Sequence, residues 1–317
     1  MYLEITQIEL RIFVFSLTLG AKRGKIFAFP GMIAADGPPQ PDAREDEMNM
    51  KKWIVMLLTL TMLMTCALAQ AQTLRVGMEC NYAPYNWTQA EPDAEGHAVA
   101  IAAGGYADGY DVRVAQIIAD KLGRDLEIVK TEWDGLTPAL LSGNIDVIIA
   151  GMSPTAERKL TIDFTDAYYV TELTVVVRKD SAYAAATSLA DLSGAKITGQ
   201  MSTFHYDMVD QIPGVKKMPA QDTFSTMIVA VSSGAMDGYV ADIPGAVSAT
   251  SANPDLTYLT FAEGQGFTVD PESAEIAVGI RQGSELKDQI NAILAEISDE
   301  ERNEIMIAAV AAQPLSE

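Results

Sequence analysis

The stretch from Leu126 to Pro154 constrains the fold more than any other part of the chain. Leu126 to Thr131 alternates like a strand, and Asp134 to Leu141 reads as a short helix with Asp134 as its N-cap and Pro138 early enough to be tolerated. Ile145 to Ala150, apolar apart from Asp146, has the pattern of a strand buried on both faces of a parallel sheet. Strand, helix and buried strand in this order specify an α/β architecture, and the same alternation runs through most of the chain. Leu74 to Met78 is a further strand. Asp111 to Leu122 is an amphipathic helix with Val112, Ala115, Ile118 and Leu122 on one face and Gly123 closing it. Glu91 to Asp108, rich in Ala, Gly and acids and without a period, is expected to be a long loop or hairpin.

One segment is echoed. Ser142-Gly143-Asn144-Ile145-Asp146 follows the apolar helical run Leu136–Leu141, and Ser233-Gly234-Ala235-Met236-Asp237 follows Thr226–Val231. Both lead into apolar strands, which points to two lobes on one plan, although each glycine also fits a plain helix C-terminal cap. The strand-like runs Leu173–Val177 and Ala274–Ile280 are read as crossings between lobes, and Ser284 to Ile297 as a C-terminal helix returning to the first lobe. The expected boundaries are 72–177 for the first part of lobe 1, 178–271 for lobe 2 and 272–317 for the return. Two connections permit a hinge.

The N-terminal region has an export signal in an unusual place. Lys51-Lys52, the apolar run Trp53–Met64 and the small-residue stretch ending in Ala69-Gln70-Ala71 have the order of a secretory signal peptide, assigned to 48–71, with cleavage after Ala69 or Ala71. Residues 1–47 are expected to be a start-site artefact, with the true start at Met48 or Met50. Cys66 follows Leu63-Met64-Thr65, a poor lipid-attachment context, so ordinary cleavage is expected. Cleavage would leave Cys80 alone, a packed residue rather than a nucleophile, and no internal disulfide. The net charge of -21 lies in the part after Ala71. Such a surface repels phosphate backbones and anionic lipids, which argues against nucleic acid and peripheral membrane partners.

The chemistry concentrates directly after the buried strand, in Gly151-Met152-Ser153-Pro154-Thr155-Ala156-Glu157-Arg158. Ser153 and Pro154 read as N-cap and first helical residue, which would present free backbone N–H groups at the strand's C-terminal edge, where open α/β sheets bind ligands. Arg158, one turn on, can close on a carboxylate docked there. Residue chemistry alone leaves a second reading equally open, in which Arg158 bridges locally to Asp163 or Asp166. The two histidines, His97 and His205, lack Cys or His companions at metal spacing, and no metal or other cofactor is expected. His205 is read as a solvated helix residue, with a cleft-lining position as the alternative.

Three runs together, Trp133 to Asp146, Ala150 to Arg158 and Asp163-Phe-Thr-Asp-Ala-Tyr-Tyr169, resemble the signature of the polar amino acid-binding proteins of ABC transporters, the family 3 extracellular solute-binding proteins. Tyr82-Ala-Pro-Tyr85, Gly109-Tyr-Asp111 and Gly199-Gln-Met-Ser-Thr-Phe204 extend the likeness, which covers the chain from Thr73 to the C-terminal helix. The resemblance implies a two-lobed α/β protein of the periplasmic-binding-protein type 2 fold that closes on a small amino acid and delivers it to a membrane permease. It implies that Arg158 pairs with the ligand carboxylate, that Gly151, Met152 and Ser153 supply backbone or hydroxyl partners, and that Asp242 receives the ammonium. Gln200, Thr203 and Phe204 would meet the carboxylate from the second lobe. Tyr82 and Trp133 would sandwich the side chain, an arrangement that suits an aliphatic stem or a cation. Glu79 would stand at the ligand's far end and favour Lys, Arg or ornithine, unless it makes a loop salt bridge instead. Ser202 occupies a position where the family often has Gly. An extracytoplasmic monomer is expected.

Two rivals differ in class. An exported prephenate dehydratase-like enzyme on the same fold would need a general acid or base, whereas Glu79 and Asp242 are already accounted for by ligand charges. A ligand-sensing receptor domain would need a membrane span after the binding domain, and none follows before Glu317.

Overall fold

The computed structural model describes residues 73–314. The export signal at 48–71, the segment 1–47 and Cys66 lie outside the described residues. Strand β1 (Leu74–Met78) leads into four short strands, β2 (Asn81–Tyr82), β3 (Asn86–Gln89), β4 (Val99–Ala100) and β5 (Tyr106–Asp108). Helix α1 (Tyr110–Leu122), β6 (Leu126–Lys130), α2 (Leu136–Ser142) and β7 (Val147–Ile148) follow. The short α3 (Ala156–Lys159) and long β8 (Asp163–Val170) complete the first pass through lobe 1. The chain then forms β9 (Leu173–Arg178), β10 (Lys196–Thr198), α4 (Phe204–Met208), β11 (Lys216–Lys217), α5 (Phe224–Ser232), β12 (Gly238–Asp242), α6 (Ile243–Ala252) and β13 (Leu256–Tyr258). It returns through α7 (Pro271–Ala274) to β14 (Glu275–Ile280), α8 (Leu286–Leu294) and α9 (Asp299–Ala312).

The two main sheets repeat one arrangement. In the first the order is β6-β1-β7-β14-β8, with β6, β1 and β7 parallel and β14 antiparallel to both its neighbours. In the second the order is β11-β10-β12-β9-β13, again with three parallel strands followed by an antiparallel one. The sequence echo marks the same joint in each. Asp146 N–H donates to the Arg75 carbonyl (2.8 Å) while its carboxylate accepts from Arg75 N–H (3.0 Å). Asp237 and Lys196 make the same reciprocal pair, at 2.9 and 2.8 Å. A side-chain carboxylate thus satisfies the backbone donor at the start of the neighbouring strand and fixes register in both lobes. The Arg75–Asp146 ion pair on top of this is partly solvated, and contributes about 0–1 kcal/mol.

Several sequence expectations need correction. The expected lobe boundary after residue 177 is too late: Leu173–Arg178 pairs with β12 and β13 and belongs wholly to the second sheet. The crossing itself is Thr171-Glu172, and it runs beside the return crossing, with Thr171 N–H bonded to the Ala274 carbonyl at 3.0 Å. β14 likewise belongs to the first sheet rather than to a crossing. A β-branched run reads the same in a sheet and in a connection, and only its partners distinguish the two.

Asp134 lies inside a 3-10 turn (Trp133–Gly135) and caps nothing. The buried run at Ile145–Ala150 forms only two ladder residues, because β7 is flanked by single backbone bonds to β1. Glu91 to Asp108 does hold the hairpin given as one of its two readings, β4 paired antiparallel with β5, but that hairpin also joins β2 and β3 in a four-stranded sheet. The C-terminal segment is two helices. Ser298 caps α9 by accepting from Glu301 N–H (3.2 Å), and the helix buries Met306 and Ala309. Its far end reaches α6 in lobe 2, where the Gln313 side chain donates to the Ser248 carbonyl (3.1 Å) and accepts from the Ser248 hydroxyl.

Candidate binding cleft

The candidate residues sit in loops at the C-terminal edges of the two sheets, where α/β folds place their ligands. Lobe 1 supplies Glu79 after β1, Tyr82 on β2, Trp133 after β6, and the segment from Gly151 to Arg158 after β7. Lobe 2 supplies Gln200, Thr203 and Phe204 around the start of α4, and Asp242 at the end of β12. Tyr82, Trp133, Gly151, Ser153, Arg158, Gln200, Thr203 and Phe204 line one small pocket of about 10 Å³, room for a single water. The cleft is closed, and its recognition groups satisfy one another across it.

Arg158 is the centre of the lobe 1 wall. Thr155, not Ser153, is the N-cap here: its side chain accepts from Arg158 N–H at 3.4 Å, and Pro154 precedes the helix rather than opening it. Pro154 cannot donate, so the turn is closed from Thr155, whose N–H bonds the Ser153 carbonyl (2.9 Å). The Arg158 guanidinium donates to the carbonyls of Ser153 (2.9 Å) and Ser202 (3.2 Å), and its Cζ lies 5.1 Å from the Trp133 ring centroid. Among the described residues no carboxylate stands within ion-pair distance of it. Asp163, the local alternative, instead accepts from Gly283 N–H (3.0 Å). Burial lowers the Arg158 pKa to about 10, and the neighbouring Glu157 carboxylate opposes that shift only in part. A desolvated guanidinium held only by carbonyl dipoles is under-neutralised and favours an incoming carboxylate.

The acids are equally self-occupied. Asp242 is 2 % exposed and caps α6 by accepting from Gly245 N–H (2.7 Å), while the Tyr82 hydroxyl donates to its other oxygen. Burial raises the Asp242 pKa to about 6. Glu79, 4 % exposed, accepts from the Gln200 side-chain amide at 3.2 Å on both oxygens, so the loop salt bridge considered for it does not form. Burial raises its pKa to about 7. A carboxylate held by a neutral amide in a desolvated site gains from any cation placed beside it.

Tyr82 and Trp133 share the pocket but do not face one another across a gap. Tyr82 stacks on Phe224, with centroids 4.0 Å apart and planes at 11°, and Trp133 carries Arg158 on its face while donating its indole N–H to the Ser202 carbonyl (3.2 Å). That carbonyl is aimed by a left-handed backbone at Ser202, φ 57°, a conformation that Gly adopts without strain. Thr203 donates its hydroxyl to the Gln200 carbonyl (2.8 Å), which ties the loop together.

Gly151 forms the floor. Its φ is 61°, a Cβ there would lie 3.1 Å from the Tyr82 ring, and its N–H donates to the Tyr168 hydroxyl (3.2 Å). Tyr168 in turn donates to buried Asp111, which also accepts from Asn86 at 2.7 Å. Met152 is not a lining residue. Its side chain is 2 % exposed in the core and its carbonyl accepts from Ala277 N–H (3.0 Å), because β-like alternation points it away from the neighbours that line the pocket.

One lining residue is absent from the sequence expectations. Phe224 is the first residue of α5, preceded by the capping box Thr223–Thr226, a local signal that announces a helix start but not the direction it faces. His205 is buried, 7 % exposed, and lines the same pocket, so the cleft-lining alternative holds and the solvated reading does not. Phe224 also borders a larger interlobe groove of about 420 Å³.

Residues 74–307 match the profile of the bacterial extracellular solute-binding proteins, family 3. The arginine-binding extracellular protein ArtP of Bacillus subtilis is 27% identical over 264 residues, covering 79% of this chain and 94% of that protein. A probable histidine-binding protein of Campylobacter jejuni is 31% identical over 198 residues, 62% of this chain and 71% of its own length. Among solved structures, an amino acid ABC transporter substrate-binding protein of Streptococcus pneumoniae bound to L-arginine superposes with a TM-score of 0.65 at 26% identity, over 77% of this chain and 96% of that one. Among the described residues no helix is long and apolar enough to cross a membrane.

Proposed function

The chain belongs to the bacterial extracellular solute-binding proteins of family 3, and within that family we propose that its cleft captures a basic L-amino acid. It is an amino acid-binding component of an ABC transporter and not an enzyme. The observation that carries the ligand reading is Arg158, a half-buried guanidinium with two carbonyl acceptors and, among the described residues, no carboxylate at ion-pair distance. A ligand carboxylate would replace the Ser202 carbonyl on Arg158, the ammonium would take the place of the Tyr82 hydroxyl on Asp242, and a distal cation would displace the Gln200 amide from Glu79. Each exchange replaces a hydrogen bond with one charged partner by a hydrogen-bonded pair of opposite charges. The arginine-binding relatives support the basic class.

Binding involves no bond chemistry. The lobes open about the paired crossings at Thr171-Glu172 and Ala274, the ligand enters, and closure withdraws it from water. Export directed by residues 48–71, a monomeric state and presentation of the closed form to a membrane permease complete the proposal. A thermal-shift screen of the purified chain against the amino acids and polyamines tests it. A ligand at about 100 times its dissociation constant adds roughly 2.7 kcal/mol of stability. Stabilisation by arginine, lysine or ornithine supports the reading, and stabilisation by acidic amino acids alone rejects it.

A further inference from the structure

We propose that His205 donates a ring N–H to the ligand carboxylate clamped by Arg158, which makes this receptor selective for a free α-carboxylate. The inference rests on the amino acid-binding reading of the cleft and deepens it by giving a ligand contact to a residue to which the family resemblance assigns none. His205 is 7 % exposed and lines the closed pocket. Neither of its ring nitrogens has a hydrogen-bond partner among the described residues. A buried imidazole with two unpaired polar atoms is costly, and such groups are retained where something outside the resting structure satisfies them.

Its surroundings say which group that is. The ring lies 4.5 Å from Phe204 and 5.9 Å edge-on to Phe224, two walls that offer no polar atom. Arg158 is the charged group that acts on it, and together with burial it lowers the His205 pKa to about 3. The imidazole is therefore neutral, with one donor and one acceptor. Any cationic part of a ligand beside it is repelled by Arg158, whereas an anion drawn to Arg158 arrives within reach of the imidazole donor. His205 would then read the carboxylate from lobe 2 while Arg158 holds it from lobe 1, so the contact forms only on closure. Polyamines forfeit both contacts, and an amino acid amide offers only a neutral carbonyl in place of the carboxylate.

Calorimetry of the full chain with L-arginine and L-argininamide, comparing wild type with His205→Phe and His205→Gln, tests this. A hydrogen bond to a charged group predicts that His205→Phe weakens L-arginine binding by about tenfold or more, with little change for L-argininamide, and that His205→Gln recovers most of the loss. Unchanged L-arginine affinity in His205→Phe, or equal losses for the two probes, overturns the proposal. Melting of the ligand-free chain provides a ligand-independent arm. His205→Phe replaces two unpaired nitrogens with carbon among aromatic neighbours, so its Tm should hold or rise, and a clear fall would assign His205 a structural bond and overturn the proposal. Absence of L-arginine binding in wild type would count against the basic-ligand reading, while the melting arm still decides His205.

Discussion

Glu79 offers a quantitative test of a site built to receive a cation. Its carboxyl is buried behind the Gln200 amide, and desolvation raises its pKa from 4.5 to about 7. A carboxyl with a raised folded-state pKa binds more protons in the folded than in the unfolded chain between these two values. Stability from this group is therefore full below about pH 4.5, falls as pH rises towards 7 and levels off above it. The interval of about 2.5 units corresponds to roughly 3 kcal/mol as an upper bound. Glu79→Gln removes the ionisable group while keeping its shape and one acceptor for Gln200. In the absence of ligand the variant should be more stable than wild type at pH 7.5 by about 1–3 kcal/mol, and the difference should vanish at pH 4.5. Urea denaturation at half-unit pH steps measures it. Asp242 and Asp111 are also raised, to about 6 and about 7, but they are present in both proteins and cancel in the difference. A Glu79→Gln variant less stable than wild type at pH 7.5, or a difference independent of pH, would refute the reasoning. The same substitution should abolish the preference for basic over neutral amino acids.

Other perturbations isolate single features. Ser202→Gly relieves a left-handed backbone at φ 57° and should raise stability by up to about 1 kcal/mol in chemical denaturation, since Gly adopts that conformation freely. Asp237→Ala removes the acceptor for Lys196 N–H at 2.8 Å, and Asp146→Ala its counterpart in lobe 1, so each should destabilise by about 1–3 kcal/mol in the same assay. Similar losses for the two support the repeated joint, and no loss for either would remove it.

What the sequence reveals divides along the reach of the interactions involved. α1 is legible because its buried face follows the helical period and Gly123 ends it with φ 65°. The repeat of Ser-Gly-x-x-Asp is legible because the same short-range cap and the same carboxylate recur in both lobes. Arg158 is legible as a binding residue, but its capping residue is not, since Thr155 rather than Ser153 closes the turn and both are good caps. The small sheet containing β4 and β5 depends on pairing with β3, and strands of two and three residues are too short to show a period of their own. α9 carries a readable Ser298 cap and only a sparse apolar stripe. Phe224 and His205 join the cleft through closure of one lobe on the other, which no local pattern encodes. Met152 is the converse, inside a binding motif by position and in the core by direction.

The central claim is that Arg158 awaits a carboxylate, and titration of L-arginine into wild type and Arg158→Met by calorimetry tests it most directly. Losing one partner of a buried, hydrogen-bonded charge pair costs about 2–5 kcal/mol, so affinity should fall by roughly thirtyfold or more. The ligand-free Arg158→Met chain should melt no lower than wild type, because the side chain leaves behind only two carbonyls that water reaches when the lobes open. Full L-arginine affinity in Arg158→Met would contradict the account at its root.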